Sequence, residues 1–80
     1  MYWIHKRLLS QNFLCNRELV KKLIRDSSIG KNDTVLEIGA GQGIITQELL
    51  EVSKQVLAIE LDGKLLQDLR HKFMGITNLT

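Results

Sequence analysis

The chain of 80 residues has no proline and a single cysteine, and it lacks any apolar run of the roughly 18 residues needed to cross a bilayer. Without a second cysteine no internal disulfide can form. His5 and His71 are the only imidazoles, so Cys15 has no usual zinc-ligand spacing around it. Nothing near Cys15 matches a catalytic-cysteine signature, and its expected role is structural or incidental. The opening stretch Met1 to Arg7 lacks the apolar core and small-residue cleavage site of a secretory leader, which makes the cytoplasm the default compartment. No proline-marked linker, internal repeat or low-complexity tract divides the chain, so one small domain at most is expected. Neither sign of charge dominates: the net charge of +2 is too small to identify a polyanionic partner by itself.

What is present fits a soluble globular domain, with 44% hydrophobic and 25% charged residues. So short a chain buries a modest fraction of its surface, and its stability is expected to be marginal unless something else covers its faces. The basic residues are unevenly spread. Lys6, Arg7, Arg17, Lys21, Lys22 and Arg25 crowd the first third, where Glu18 is the only acid before Asp26. That crowding fits a solvated helix face, and it also fits a footprint for RNA phosphates.

Residues 1–14 show no clean period and read as an N-terminal arm or loop. Asn16 then has the chemistry of an N-cap, and Leu19, Val20, Leu23 and Ile24 form the apolar stripe of an amphipathic helix of about a dozen residues. Ser27-Ser28-Ile29-Gly30 ends it, and Lys31-Asn32-Asp33 is a polar turn. Thr34 to Ile38 reads as a buried parallel strand, followed by a tight glycine loop. From Ile44 the spacing becomes helical, with Ile45, Leu49 and Val52 on one face and Gln47, Glu48 and Glu51 opposite. Val56 to Ile59 is a second buried strand, Asp62 can cap a third helix faced by Leu65, Leu66, Leu69 and Phe73, and Ile76 to Thr80 is a turn entering a third strand. This order predicts an α/β fold, the N-terminal half of a Rossmann-like domain of parallel strands with flanking helices.

The sharpest feature is Glu37-Ile38-Gly39-Ala40-Gly41-Gln42-Gly43 between a strand and a helix. Glycines there let the backbone turn tightly and approach a ligand, and the helix behind them presents N–H groups. The third glycine of the commoner G-x-G-x-x-G pattern would fall at position 44, which is Ile44. The spacing G-x-G-x-G after an acid instead suits a nucleoside ligand without a pyrophosphate, such as S-adenosylmethionine. Glu60, at the end of the second strand and about 20 residues after the loop begins, can accept both hydroxyl hydrogens of a ribose. Glu37 can orient the loop, lie near the methionine end of such a ligand, or support the strand.

Ser10-Gln11-Asn12-Phe13-Leu14, then Val35 to Gly43, then Ile59-Glu60-Leu61-Asp62, resembles the beginning of the rRNA adenine N(6)-dimethyltransferase family over nearly the whole chain. The Gln-Asn-Phe-Leu segment is the part most specific to that family. The resemblance implies an S-adenosylmethionine-dependent enzyme acting on adenine in rRNA. It implies that Asn12 and Leu14 border the methionine and sulfonium side of the cofactor, that Gly39, Gly41 and Gly43 line its amino-acid part, and that Glu60 holds its ribose. Phe13 would pack rather than bind. No residue of this chain is implied as catalytic and none as a metal ligand. Two branches of the family are open, the small-subunit rRNA enzymes and the large-subunit enzymes of macrolide resistance. Ser10 and the stretch Ser53-Lys54-Gln55-Val56 lean toward the second.

The family also has an acidic residue after the third strand, an Asn-Leu/Ile-Pro-Tyr/Phe segment after the fourth, and a helical RNA-binding domain. None occurs in these residues, so the chain is expected to be a cofactor-binding fragment, inactive alone. The alternatives are a noncatalytic module that binds cofactor or RNA, and a truncated product that pairs its open sheet edge in a homodimer or domain swap. His5 and His71 have no evident partners, and Tyr2 and Trp3 are more readily packed onto the domain than stacked on a base.

Overall fold

The computed structural model describes the backbone of residues 2–5 and all of residues 17–80. Within them the elements are β1 (Tyr2–His5), α1 (Arg17–Asp26), β2 (Thr34–Ile38), α2 (Ile44–Val52), β3 (Gln55–Ile59) and α3 (Gly63–Lys72). The strands are parallel in the order β1-β2-β3, with Tyr2 opposite Val35 and Val35 opposite Val56. Leu79 extends the sheet beyond β3. It bridges Val56 in parallel, and the N–H groups of Val56 and Ala58 donate to the carbonyls of Asn78 and Thr80, both at 2.9 Å. The Rossmann-like reading therefore holds, and where a further strand is expected to begin, Leu79 pairs with β3 at a single bridge.

The expected arm needs correction at its start, because Tyr2–His5 is a strand paired along the whole of its length with β2. Four residues are too few for a period to show, and this run of β-formers gains its hydrogen bonds from a strand that is remote in sequence. The Gln-Asn-Phe-Leu segment, including Asn12 and Leu14, lies outside the described residues, as do Lys6, Arg7, Cys15 and the expected cap Asn16.

The core forms where α1 and α2 meet the sheet. Val35, Leu49 and Val56 are closed to solvent, and Val20, Ile24 and Ile45 join them. Alternation in β2 buries Val35 and Glu37 while Leu36 and Ile38 are half-buried. In α1 the apolar stripe is narrower than the sequence suggests, since Leu23 is exposed. In α2 the expected polar face is also corrected. Glu48 is buried, because its carboxylate turns toward α1 and accepts from Arg17 at 3.3 Å. At the turn before β2, Asp33 accepts the Gly30 N–H at 2.6 Å on its carboxylate, and its carbonyl accepts from Lys54 at 2.8 Å. Asp62 caps α3 as expected, accepting from the N–H groups of Lys64 and Leu65 at 3.0 and 3.1 Å. No helix among the described residues is long and apolar enough to cross a membrane.

Candidate functional site

Because β2 and β3 run parallel in register, the segments leaving their C-terminal ends emerge at the same edge of the sheet: the loop Gly39 to Gly43 from β2, and Glu60-Leu61-Asp62 from β3. The loop glycines have φ of 77° at Gly39, 60° at Gly41 and 84° at Gly43, in the left-handed region that a side chain strains. This curl lets the loop fold back on the end of β3. Gly39 and Ala40 donate their N–H groups to the Ile59 carbonyl, at 2.8 and 3.3 Å.

The two predicted halves of the site meet at the next residue. Gly41 donates its N–H to Oε1 of Glu60 at 2.7 Å, and Oε2 of Glu60 accepts the Asp62 N–H at 3.0 Å. Both oxygens of the carboxylate are thus held by backbone, which fixes its plane. A carboxylate fixed in this way presents acceptor oxygens of the kind that a pair of hydroxyl groups can bind.

Glu37 makes a supporting contact, one of the roles the sequence leaves open. It is 2% exposed, and its carboxylate accepts a hydrogen bond from the hydroxyl of Thr46, itself fully buried in the first turn of α2. Burial raises its carboxyl to about 7, with the Thr46 hydrogen bond opposing and the nearby Glu60 charge adding to the rise.

Gly43 serves packing. A Cβ there would come within 2.7 Å of the Phe73 ring and 2.9 Å of Leu69, so its bare α-carbon is what lets α3 close on the loop. Lys72 adds a hydrogen bond at 3.1 Å to the Gln42 carbonyl. This grip is not visible in the sequence. The G-x-G-x-G spacing marks a close approach at Gly43, yet the identity of what approaches is a tertiary fact. Leu61, within the stretch Ile59-Glu60-Leu61-Asp62, is 94% exposed next to Glu60, with Ile59 at 44%. Its sequence signal is an apolar side chain directly after a strand-end acid.

Part of the basic crowding is used internally. Arg17 pairs with Glu48, Lys22 with Asp26 at 2.8 Å, and Lys31 donates to the Glu51 carbonyl at 2.6 Å.

Comparison with known proteins agrees with this geometry. The family model described as ribosomal RNA adenine dimethylase matches residues 4–80. A ribosomal RNA small subunit methyltransferase A of Clostridium botulinum (strain Loch Maree / Type A3) is 44% identical over 90% of this chain and 26% of its own length. The protein of the same name in Fusobacterium nucleatum subsp. nucleatum is 43% identical over 100% of this chain and 31% of its own. The crystal structure of the 23S rRNA methyltransferase ErmE superposes with a TM-score of 0.72 at 31% identity, covering 80% of this chain and 26% of that one. The chain thus spans between a quarter and a third of the length of these relatives. With a family match over residues 4–80, the chain belongs to the ribosomal RNA adenine dimethylase family.

Proposed function

We propose that this chain is the cofactor-binding part of an S-adenosylmethionine-dependent methyltransferase that modifies the N(6) amine of adenine in rRNA. The observation that carries the reading is the hydrogen bond from Gly41 to Glu60, which joins the glycine loop to a carboxylate held flat by two backbone N–H groups. A fixed carboxylate suits a vicinal diol, and the exposed Leu61 and Ile59 beside it offer apolar surface to a purine. The loop and Glu60 would hold the amino-acid and ribose parts of the cofactor, and Asn12 and Leu14 would border its sulfonium.

The cofactor supplies an electrophilic methyl group on a sulfonium sulfur. What the protein contributes is alignment. This chain's residues would fix one reactant, the cofactor.

Calorimetric titration with S-adenosylmethionine tests the reading, with Glu60→Gln as the variant that keeps one acceptor oxygen and loses the charge. Binding by the unaltered chain that weakens about tenfold or more in the variant is expected, as for a lost charge-assisted contact. No binding by a folded chain would sink the cofactor role. Transfer of labelled methyl groups to small-subunit and large-subunit rRNA by the chain extended to its relatives' length would identify the substrate. Salt-dependent RNA binding without turnover in that extended protein would favour a noncatalytic module instead.

A further inference from the structure

Helix α3 is linked to the glycine loop at both of its ends, through Glu60 at its start and directly at its finish. At its start, Asp62 caps the helix while its own N–H binds Glu60, whose other oxygen holds Gly41. At its finish, Lys72 donates to the Gln42 carbonyl and Phe73 lies against the α-carbon of Gly43, with the Lys72 ammonium 5.5 Å from the centre of the Phe73 ring. A closed circuit of contacts therefore runs from Gly41 through Glu60, Asp62 and α3 to Lys72 and back to Gln42, the residue after Gly41.

We infer that Lys72 and Phe73 are positioning residues for the cofactor, holding the helix-side half of the glycine loop from behind while Glu60 holds its strand-side half. This rests on the cofactor role proposed for the loop and Glu60. Three glycines in a run of five give the loop many alternative conformations, and each costs binding free energy to exclude when a ligand arrives. Glu60 restrains the strand side, through Gly41. Past that point the turn is restrained by the hydrogen bond from the Gly43 N–H to the Ala40 carbonyl at 3.0 Å, by the bond from Lys72, and by the Phe73 ring. Phe73 fills the space that a side chain at position 43 would otherwise need, so the turn cannot shift toward α3. The Lys72 ammonium fixes the Gln42 carbonyl, and so the orientation of the Gln42–Gly43 peptide, and it lies within cation–π reach of the ring. Neither residue need touch the cofactor for this to set its affinity.

The test compares the unaltered chain with Lys72→Met, Lys72→Arg and Phe73→Leu. It reads amide hydrogen exchange at Gly41, Gly43 and Gln47 against Val35 and Val56 in the sheet, and affinity for S-adenosylmethionine by calorimetry. Lys72→Met and Phe73→Leu should speed exchange in the loop while leaving the strands unchanged, and should weaken cofactor binding about three- to tenfold. Lys72→Arg, which keeps a cationic donor, should restore both. Unchanged loop exchange and affinity in Lys72→Met and Phe73→Leu would overturn the inference. So would faster exchange spread evenly over loop and strands, which marks simple loss of packing. If the unaltered chain binds no cofactor while Lys72→Met still loosens the loop, the cofactor role falls and the positioning role falls with it, leaving only a packing contact.

Discussion

Thr46 donates its hydroxyl hydrogen to the carboxylate of Glu37, and both side chains are shut away from solvent between the first turn of α2 and the strand that launches the glycine loop. A carboxyl in that position is a proton-linked element of stability, and its raised pKa sets the sign of the linkage.

Burial lifts Glu37 from 4.5 to about 7, so the folded chain holds this proton more tightly than the unfolded chain does. The stabilising contribution is complete below the unfolded value and is lost as pH rises through about 7, amounting to roughly 3 kcal/mol at ~1.4 kcal/mol per unit. Thermal unfolding should show a melting temperature that falls between about pH 5 and about pH 8. Glu37→Gln, which stays neutral and can still accept from Thr46, should flatten that fall. An equally steep fall in the variant would assign the dependence to other groups.

Gly43→Ala is expected to destabilise by about 3 kcal/mol, combining a left-handed φ with an overpacked contact against Phe73 and Leu69. Adding Phe73→Ala should recover only the packing share, because the backbone strain stays. Urea unfolding of the two single variants and the double variant measures the coupling; strict additivity would mean that the ring does not meet residue 43.

The Arg17 to Glu48 pair should behave asymmetrically. The Glu48 side chain is 5% exposed and that of Arg17 is 55%, so removing the cation leaves a buried carboxylate without its ion-pair partner. Arg17→Met should cost about 1 to 2 kcal/mol after allowance for the exposed partner, whereas Glu48→Met should cost less or stabilise. Denaturant midpoints that move equally for both variants would contradict this.

Leu61→Ser should leave stability within about 0.5 kcal/mol, since the side chain is almost wholly exposed. Its effect should fall on affinity for S-adenosylmethionine, weakened about three- to tenfold through lost apolar contact. Equal binding by the variant would remove Leu61 from the site.

Local chemistry is legible in the sequence. Thr34–Ile38 is bounded by a polar turn and glycines, Asp62 stands one residue before a helical period, and Glu60 stands at the end of an apolar run. Each of these signals is carried by residues within one element. What escapes depends on partners far along the chain. Tyr2–His5 becomes a strand only because β2 lies beside it, and Glu48 looks like a solvent-facing residue until Arg17, 31 positions earlier, turns it inward. Gly43 announces a close approach, and the approaching Phe73 can be named only from the folded chain.

The place of β2 between β1 and β3 has a mechanical consequence. The strand that delivers the glycine loop is laced along both sides, so it cannot swing or slide without breaking two ladders of hydrogen bonds at once. The strand acts as a fixed post, and the loop that leaves it is tied to the end of β3 at Gly39 and Ala40 and to the helix behind at Gln42 and Gly43.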